Sequence, residues 1–265
     1  MRFCNIASGS SGNCTYIGDE GTHLLVDAGI SGKRIEAGLN DIDLTTSDMA
    51  GILITHEHTD HIGGLAVVAG RYGIPIYATR GTIDAIKKFP RFDRIPDELY
   101  HTVKADESFR IGDFDITPAA ISHDAAEPVA YSFQNGKKRA SIATDLGIYD
   151  DKLVDIMKDS DILMLEANHD LRMLEAGPYP YRLKKRIMGR EGHLSNDLCG
   201  KLLVDLLSDR LQKVVLGHLS KENNLTELAY ETVRLEVTMS RDESRWRDLN
   251  VIVAKRDERT ECFEV

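Results

Sequence analysis

Short apolar runs separated by turn-forming clusters dominate the first part of the chain, and Arg2 to Ala7, Cys14 to Gly18, Leu24 to Asp27 and Gly51 to Thr55 each read as a strand. The last run is almost continuously apolar, as in a buried strand. After Thr59 the period changes: Ile62, Leu65, Ala66 and Ala69 recur at the spacing of a helix packed along one face, with Thr59 expected as its N-cap. Further strands are predicted at Ile74 to Ala78, Phe114 to Ile121, Val129 to Gln134, Ala140 to Thr144, Ile162 to Leu165, Val214 to Leu216 and Val251 to Ala254. Helices are predicted at Asp151 to Lys158, Asn196 to Ser208 and Thr226 to Met239. Strands in both halves, with helices interspersed rather than strictly alternating, predict two sheets covered by helices on their outer faces. No Pro-rich linker, low-complexity tract or internal repeat divides the chain, so residues 1–265 are expected to form one domain.

Composition narrows the class. Hydrophobic residues at 42% and charged residues at 29% are the proportions of a soluble globular protein, which excludes a disordered or fibrous chain. The N-terminus lacks the basic start and apolar run of a signal peptide, and no segment approaches the roughly eighteen apolar residues of a membrane span. A cytoplasmic protein with no membrane partner is expected. Cys4, Cys14, Cys199 and Cys262 form no C-x-x-C pair, which counts against a disulfide framework and a thiolate zinc cluster. The net charge of −10 counts against nucleic-acid binding, yet Arg182, Lys184, Lys185, Arg186 and Arg190 form a local basic segment just before His193.

Candidate chemistry centres on Thr55-His56-Glu57-His58-Thr59-Asp60-His61. In extended chain His56 and His58 project to the same side, while Asp60 and His61 stand at the start of a helix, so two donor pairs can face two cations. Imidazole nitrogens with a carboxylate suit zinc, manganese or iron, and such a cluster is costly to bury without a cation. Later strand ends offer more donors: His123 after Ile121-Ser122, Asp145 after Ile142-Ala143-Thr144, and His218 after Val214-Val215-Leu216-Gly217.

This ordered set, with the strand end Val26-Asp27-Ala28-Gly29, resembles the metallo-β-lactamase superfamily throughout the chain. The resemblance implies an αββα sandwich, an α/β (α+β) fold of two mixed sheets flanked by helices. It also implies two divalent metal ions: His56, His58 and His123 on one, Asp60, His61 and His218 on the other, Asp145 bridging, and Asp27 supporting from behind the ligands. A carboxylate at 145, where a lactamase-type site offers a cysteine, favours a bridged pair suited to phosphodiester hydrolysis. Leu165-Glu166-Ala167-Asn168 and Glu191-Gly192-His193-Leu194-Ser195 are similar to segments of tRNase Z-like nucleases whose Glu and His protonate the leaving oxygen; the matching residues here are Glu166 and His193. Ala7-Ser8-Gly9-Ser10-Ser11-Gly12-Asn13 and Gly217-His218-Leu219-Ser220-Lys221-Glu222-Asn223-Asn224 resemble the YycJ-like (WalJ-like) branch, as do Glu166 to Asp170 and Gly192 to Asn196. That branch is associated with degradation of DNA from the 5′ end. The short chain between His123 and Asp145 leaves little room for the tRNA-gripping arm of tRNase Z, and that between Asp145 and His218 is too short for the β-CASP insertion of ribonuclease J-like enzymes.

The expected activity is therefore a two-metal-dependent phosphodiesterase, a DNA exonuclease with 5′ to 3′ polarity by that resemblance. A metal-bridging hydroxide would attack phosphorus, Asp60 would orient it and accept its proton, and His193 poised by Glu166 would protonate the departing sugar oxygen. Ser10, Ser11 and Asn13 of the Gly-rich turn, with His169, Ser195, Asn196 and Ser220, are candidate contacts to substrate phosphates. Competing readings are an RNA-directed nuclease, a hydrolase of a small ester, thioester or cyclic phosphodiester in the same site, and a noncatalytic module in which the metals only stabilise a binding surface. No feature points to a particular oligomeric state.

Overall fold

The computed structural model describes residues 1–240 and 243–265. The fold is α/β, with two mixed seven-stranded sheets flanked by helices, as expected. Two compact units are distinguished: Met1–Ala120, Ala125–Lys137 and Lys255–Val265 form the first, and Ile121–Asp124 with Lys138–Ala254 the second.

In the first unit β1 (Arg2–Ala7), β2 (Cys14–Gly18) and β3 (His23–Val26) pair antiparallel, because short turns connect them. From β3 the sheet continues parallel through β4 (Gly51–Leu53), β5 (Ile76–Thr79) and β6 (Tyr100–Val103), with helical crossovers α1 (Gly32–Asn40), α2 (Thr59–Ile62), α3 (Leu65–Tyr72) and α4 (Arg80–Ile86). Ile6, Ile35, Leu39, Ile52, Ile62, Leu65 and Ile76 belong to one buried apolar cluster between this sheet and its helices. An antiparallel meander of β7 (Phe109–Ile111), β8 (Phe114–Ala120) and β9 (Val129–Asn135) completes the unit's long strands.

The helix expected after Thr59 is broken. Ile62, Leu65, Ala66 and Ala69 are buried as their spacing predicts, but α2 stops at Ile62 and α3 starts at Leu65. Gly63 and Gly64 lie against the 28–30 backbone: Gly64 N donates to Ala28 O at 2.7 Å, and a Cβ on Gly64 would overlap the carbonyl oxygen of Ile30. The expected cap is also displaced, since His58 occupies the N-cap position and Thr59 is the first helical residue.

In the second unit β10 (Lys138–Ala143), β11 (Ile162–Glu166), β12 (Lys213–Gly217) and β13 (Asn250–Val253) run parallel, each residue of β11 being buried. Side-chain caps start three of its helices: Asp150 accepts from Leu153 N ahead of α5 (Asp151–Met157), Asp170 from Met173 N ahead of α6 (Leu171–Ala176), and Ser195 from Leu198 N ahead of α8 (Asn196–Leu206). Between α6 and α8 lies α7 (Tyr181–Ile187), which buries no residue. After α8 comes α9 (Thr226–Ser240); the two approach so closely at Gly200 that a Cβ there would lie 2.6 Å from Glu236 Cβ. The unit's last helix is α10 (Glu243–Asp248). Back in the first unit, β14 (Phe263–Glu264) pairs antiparallel with β1. No helix of the described residues is long and apolar enough to cross a membrane.

Candidate active site

The first unit's donors are set by Asp27. It follows β3 with a left-handed backbone, φ 61°, and its buried carboxylate accepts from Thr55 N at 2.9 Å, from Thr55 Oγ1 at 3.0 Å and from His61 Nδ1 at 2.7 Å. Thr55 Oγ1 in turn lies 3.0 Å from His56 Nδ1. The His56 and His61 imidazoles are fully buried, with ring centroids 4.1 Å apart and planes tilted by 45°, and the His56 and His58 centroids are 4.6 Å apart. Asn13 fixes the far side: its backbone N donates to Asp60 O at 2.7 Å, its Nδ2 lies 3.0 Å from His61 Nε2, and its Oδ1 accepts from Gly9 N. Gly29 is required where the two loops cross, because a Cβ would overlap the carbonyl oxygen of Asp60.

In the second unit Asp145 and His218, past the ends of β10 and β12, repeat the left-handed conformation with φ 60° and 55°. Outside glycine this conformation costs on the order of 1 kcal/mol or more and persists only where the surroundings over-determine it. Here it turns two parallel-strand ends toward one point. Asp145 Oδ1 lies 3.5 Å from His218 Nε2, 3.6 Å from His193 Nδ1 and 3.9 Å from His123 Nε2. One donor atom each from Asp145, Glu166, His193 and His218 fall within 4.8 Å of one another.

Glu166, fully buried at the end of β11, organises this group. Its Oε1 accepts from His193 Nδ1 and His218 Nδ1, both at 2.8 Å, and its Oε2 from Leu146 N and Leu194 N, both at 3.1 Å. Burial pushes this carboxyl upward, but the His193 charge and the hydrogen bonds from His193 and His218 outweigh it and hold it down at about 2. For His193 burial favours the neutral ring, and the Glu166 carboxylate, with Asp145 beyond it, reverses this and raises the imidazole above its ordinary value. With Glu166 Oε1 at 2.8 Å from Nδ1 and 17% of its side chain exposed, His193 can supply a proton at the edge of this group.

These donors fit divalent cations. Thr55, Asp27, the Gly192 carbonyl at 3.1 Å and Glu166 engage the Nδ1 atoms of His56, His61, His123 and His218, so Nε2 of each is the atom that could meet a cation, that of His61 exchanging Asn13 Nδ2 for the metal. Nitrogen and carboxylate oxygen without thiolate suit zinc, manganese or iron.

The candidate phosphate contacts fall into different places. Ser10 and Ser11 are exposed, Ser10 Oγ accepting from Arg256. Asn13 is buried and committed to Asp60 and His61. Ser195 is buried and caps α8. Asn196 forms a reciprocal amide pair with Asn224 at 3.0 and 2.8 Å, and Ser220 Oγ accepts from Asn223 N. His169 is buried, and desolvation lowers its ring to about 4, so it is neutral at ordinary pH and offers no cation to a phosphate. Asn168 and Asn224 escaped the sequence reading: Asn168 Nδ2 donates to His218 O at 2.9 Å, and Asn224 Nδ2 to Ala167 O at 2.9 Å, bracing the His218 turn. The signal available for them was a pair of amides flanking motif residues.

The family model described as a β-lactamase superfamily domain matches residues 22–218. Exodeoxyribonuclease YycJ of Bacillus anthracis is 38% identical over 233 residues, 88% of each chain, and exodeoxyribonuclease WalJ of Streptococcus pneumoniae 40% identical over 233 residues, 88% of this chain and 87% of the relative. The metallo-β-lactamase fold protein YhfI of Bacillus subtilis superposes with a TM-score of 0.69 over 98% of both chains at 16% identity.

Proposed function

The chain belongs to the β-lactamase superfamily, and from that premise we propose that it is a divalent-metal-dependent exodeoxyribonuclease acting as one catalytic domain. The observation that carries the reading is the double hydrogen bond to Glu166: one buried carboxylate holds both the donor His193 and the ligand His218. By the family's pattern the first unit would offer His56, His58, Asp60 and His61 to divalent cations, and the second unit His123, Asp145 and His218. Zinc, manganese or iron at these positions supplies a water of lowered pKa and neutralises phosphate charge.

The chain's own groups do the rest. Asp60, steadied through its backbone by Asn13, orients the attacking water and takes up its proton. With Nδ1 of His193 donated to Glu166, Nε2–H is the proton that passes to the departing sugar oxygen as the P–O bond breaks. Glu166 stays ionised throughout and stabilises the imidazolium. DNA as substrate is supported by the similarity to the exodeoxyribonucleases YycJ and WalJ, and attack from the 5′ end is the polarity that the resemblance of the sequence motifs implies.

Manganese-loaded protein is expected to release nucleotides from 5′-phosphorylated duplex DNA faster than from RNA of the same sequence, and to leave a generic thioester intact. Hydrolysis of the thioester with DNA untouched overturns the proposal.

A further inference from the structure

The segment from Tyr181 to Arg190 carries Arg182, Lys184, Lys185, Arg186 and Arg190 with no acidic residue, in a chain whose net charge is −10. Its α7 is a largely exposed helix, and its end borders a cleft of about 460 Å³ lined by Ser122, Asp124, Lys185, Arg186, Arg190 and Glu191, with Gly189. The cleft adjoins chemistry by covalent neighbourhood: Ser122 and Asp124 flank His123, and Glu191 leads through Gly192 to His193. Its walls are tied together, since Asp124 N donates to Glu191 O at 3.1 Å and Gly192 O holds His123 Nδ1.

The cations divide into two kinds. Arg186 grips the Asp124 carboxylate in a fork, Nε at 2.5 Å and Nη2 at 3.0 Å, so its charge is neutralised and its role is to fix the wall beside His123. Lys185 and Arg190 are exposed and make no ion pair among the described residues. The Lys185 ammonium lies 5.2 Å from the ring of Tyr181, which is 71% exposed and offers a face on which a base can stack. At physiological salt the Debye length is about 8 Å, so acidic surface farther away than that is largely screened from a phosphate in direct contact with the cleft cations.

We propose that this cleft is a second phosphate subsite, in which Lys185 and Arg190 seat a phosphate of the substrate strand next to the nucleotide that departs at His193. The inference deepens the exonuclease reading and rests on it. A polyanionic strand fits better than a lone small acid, because cations, a stacking ring and the proton donor follow one another along a single stretch of chain.

The test compares the wild type with the Lys185→Ala/Arg190→Ala double variant, Arg186 being kept so that the wall stays in place. Fluorescent oligonucleotides with 5′-phosphate or 5′-hydroxyl ends are bound across a salt series to manganese-loaded protein in a His193→Ala background, where cleavage is slow, and manganese-loaded protein without that change is assayed on bis(p-nitrophenyl) phosphate and duplex DNA. Binding by the variant is expected to weaken about tenfold, and the salt slope to shrink by about one to two, as each lost phosphate contact removes close to one. Turnover of the small diester should hold within about twofold, because it is too short to reach the cleft. Weakening confined to the phosphorylated end assigns the cleft to the terminal phosphate, and equal weakening of both ends to an internal one. Unchanged affinity and salt slope overturn the subsite. A wild type that hydrolyses the small diester but cuts no DNA overturns the exonuclease reading instead, and the subsite with it.

Discussion

At the scale of single residues, Glu166 and His193 illustrate how burial and charge compete. A carboxylate with no solvent survives ionised only because every lone-pair direction meets a donor, two imidazole and two backbone N–H groups. The two side chains should separate by their effects. His193→Ala is expected to lower kcat by about 10²- to 10⁴-fold with metal content retained, measured by turnover and elemental analysis. Glu166→Gln should additionally weaken metal binding, by about 10- to 100-fold, because His218 loses the partner that orients it. The sign of the pH dependence follows from the raised His193 value: the protonated donor persists above the ordinary imidazole range and is lost as pH rises through the raised value, so kcat falls on the alkaline side. That limb should vanish in His193→Ala and move to lower pH in Glu166→Gln. A kcat profile with the same alkaline limb in all three proteins contradicts the assignment of His193 as donor.

At the scale of elements, strand ends and helix starts build the site. Asp27, Asp145 and His218 each leave a strand by a left-handed residue, which turns the chain sharply enough to face a donor back across the strand ends. The crossing of the 27–29 turn with the 58–61 turn admits no side chain. Gly29→Ala should therefore displace Asp60 and lower stability by about 2–4 kcal/mol, read by denaturant melting, together with activity. Ser195→Ala is expected to behave differently: loss of the α8 cap costs about 1 kcal/mol, and KM for DNA stays unchanged because the hydroxyl serves Leu198 N. A large KM increase with unchanged stability would restore Ser195 to the substrate contacts.

At the scale of the whole chain, the acidic balance and the buried donor clusters predict that cations bound there would be a source of stability as well as reactivity. Buried carboxylates and imidazoles gathered for cations repel or go unsolvated without them. A ligand present at 100 times its dissociation constant adds about 2.7 kcal/mol to the folded state. Chelation with EDTA should thus lower Tm and abolish DNA cleavage, and both should return on adding manganese or zinc. A Tm indifferent to EDTA and to added metal argues against the ligand set.

Much of this was written locally in the chain. The periods of two and of three to four apolar residues mark β1, β2, β8, β9, β11, α5, α8 and α9, because those elements bury one face or both and their side chains carry the pattern. His56, His58, Asp60 and His61 could be read from spacing alone, since four donors within six positions need only local geometry. The elements that went unread are α1, α4, α6, α7, α10, β6, β7 and β14; most are short, and α7 buries nothing that would print a period. Packing alone decided that Gly63 and Gly64 break a periodic helix, that Asn13 serves Asp60 and His61, and that Glu166 meets His193 and His218 at once. A sequence determines which residues prefer a strand, a cap or a metal. Which distant groups satisfy a buried carboxylate is settled only when the folded chain excludes water and leaves them as its partners.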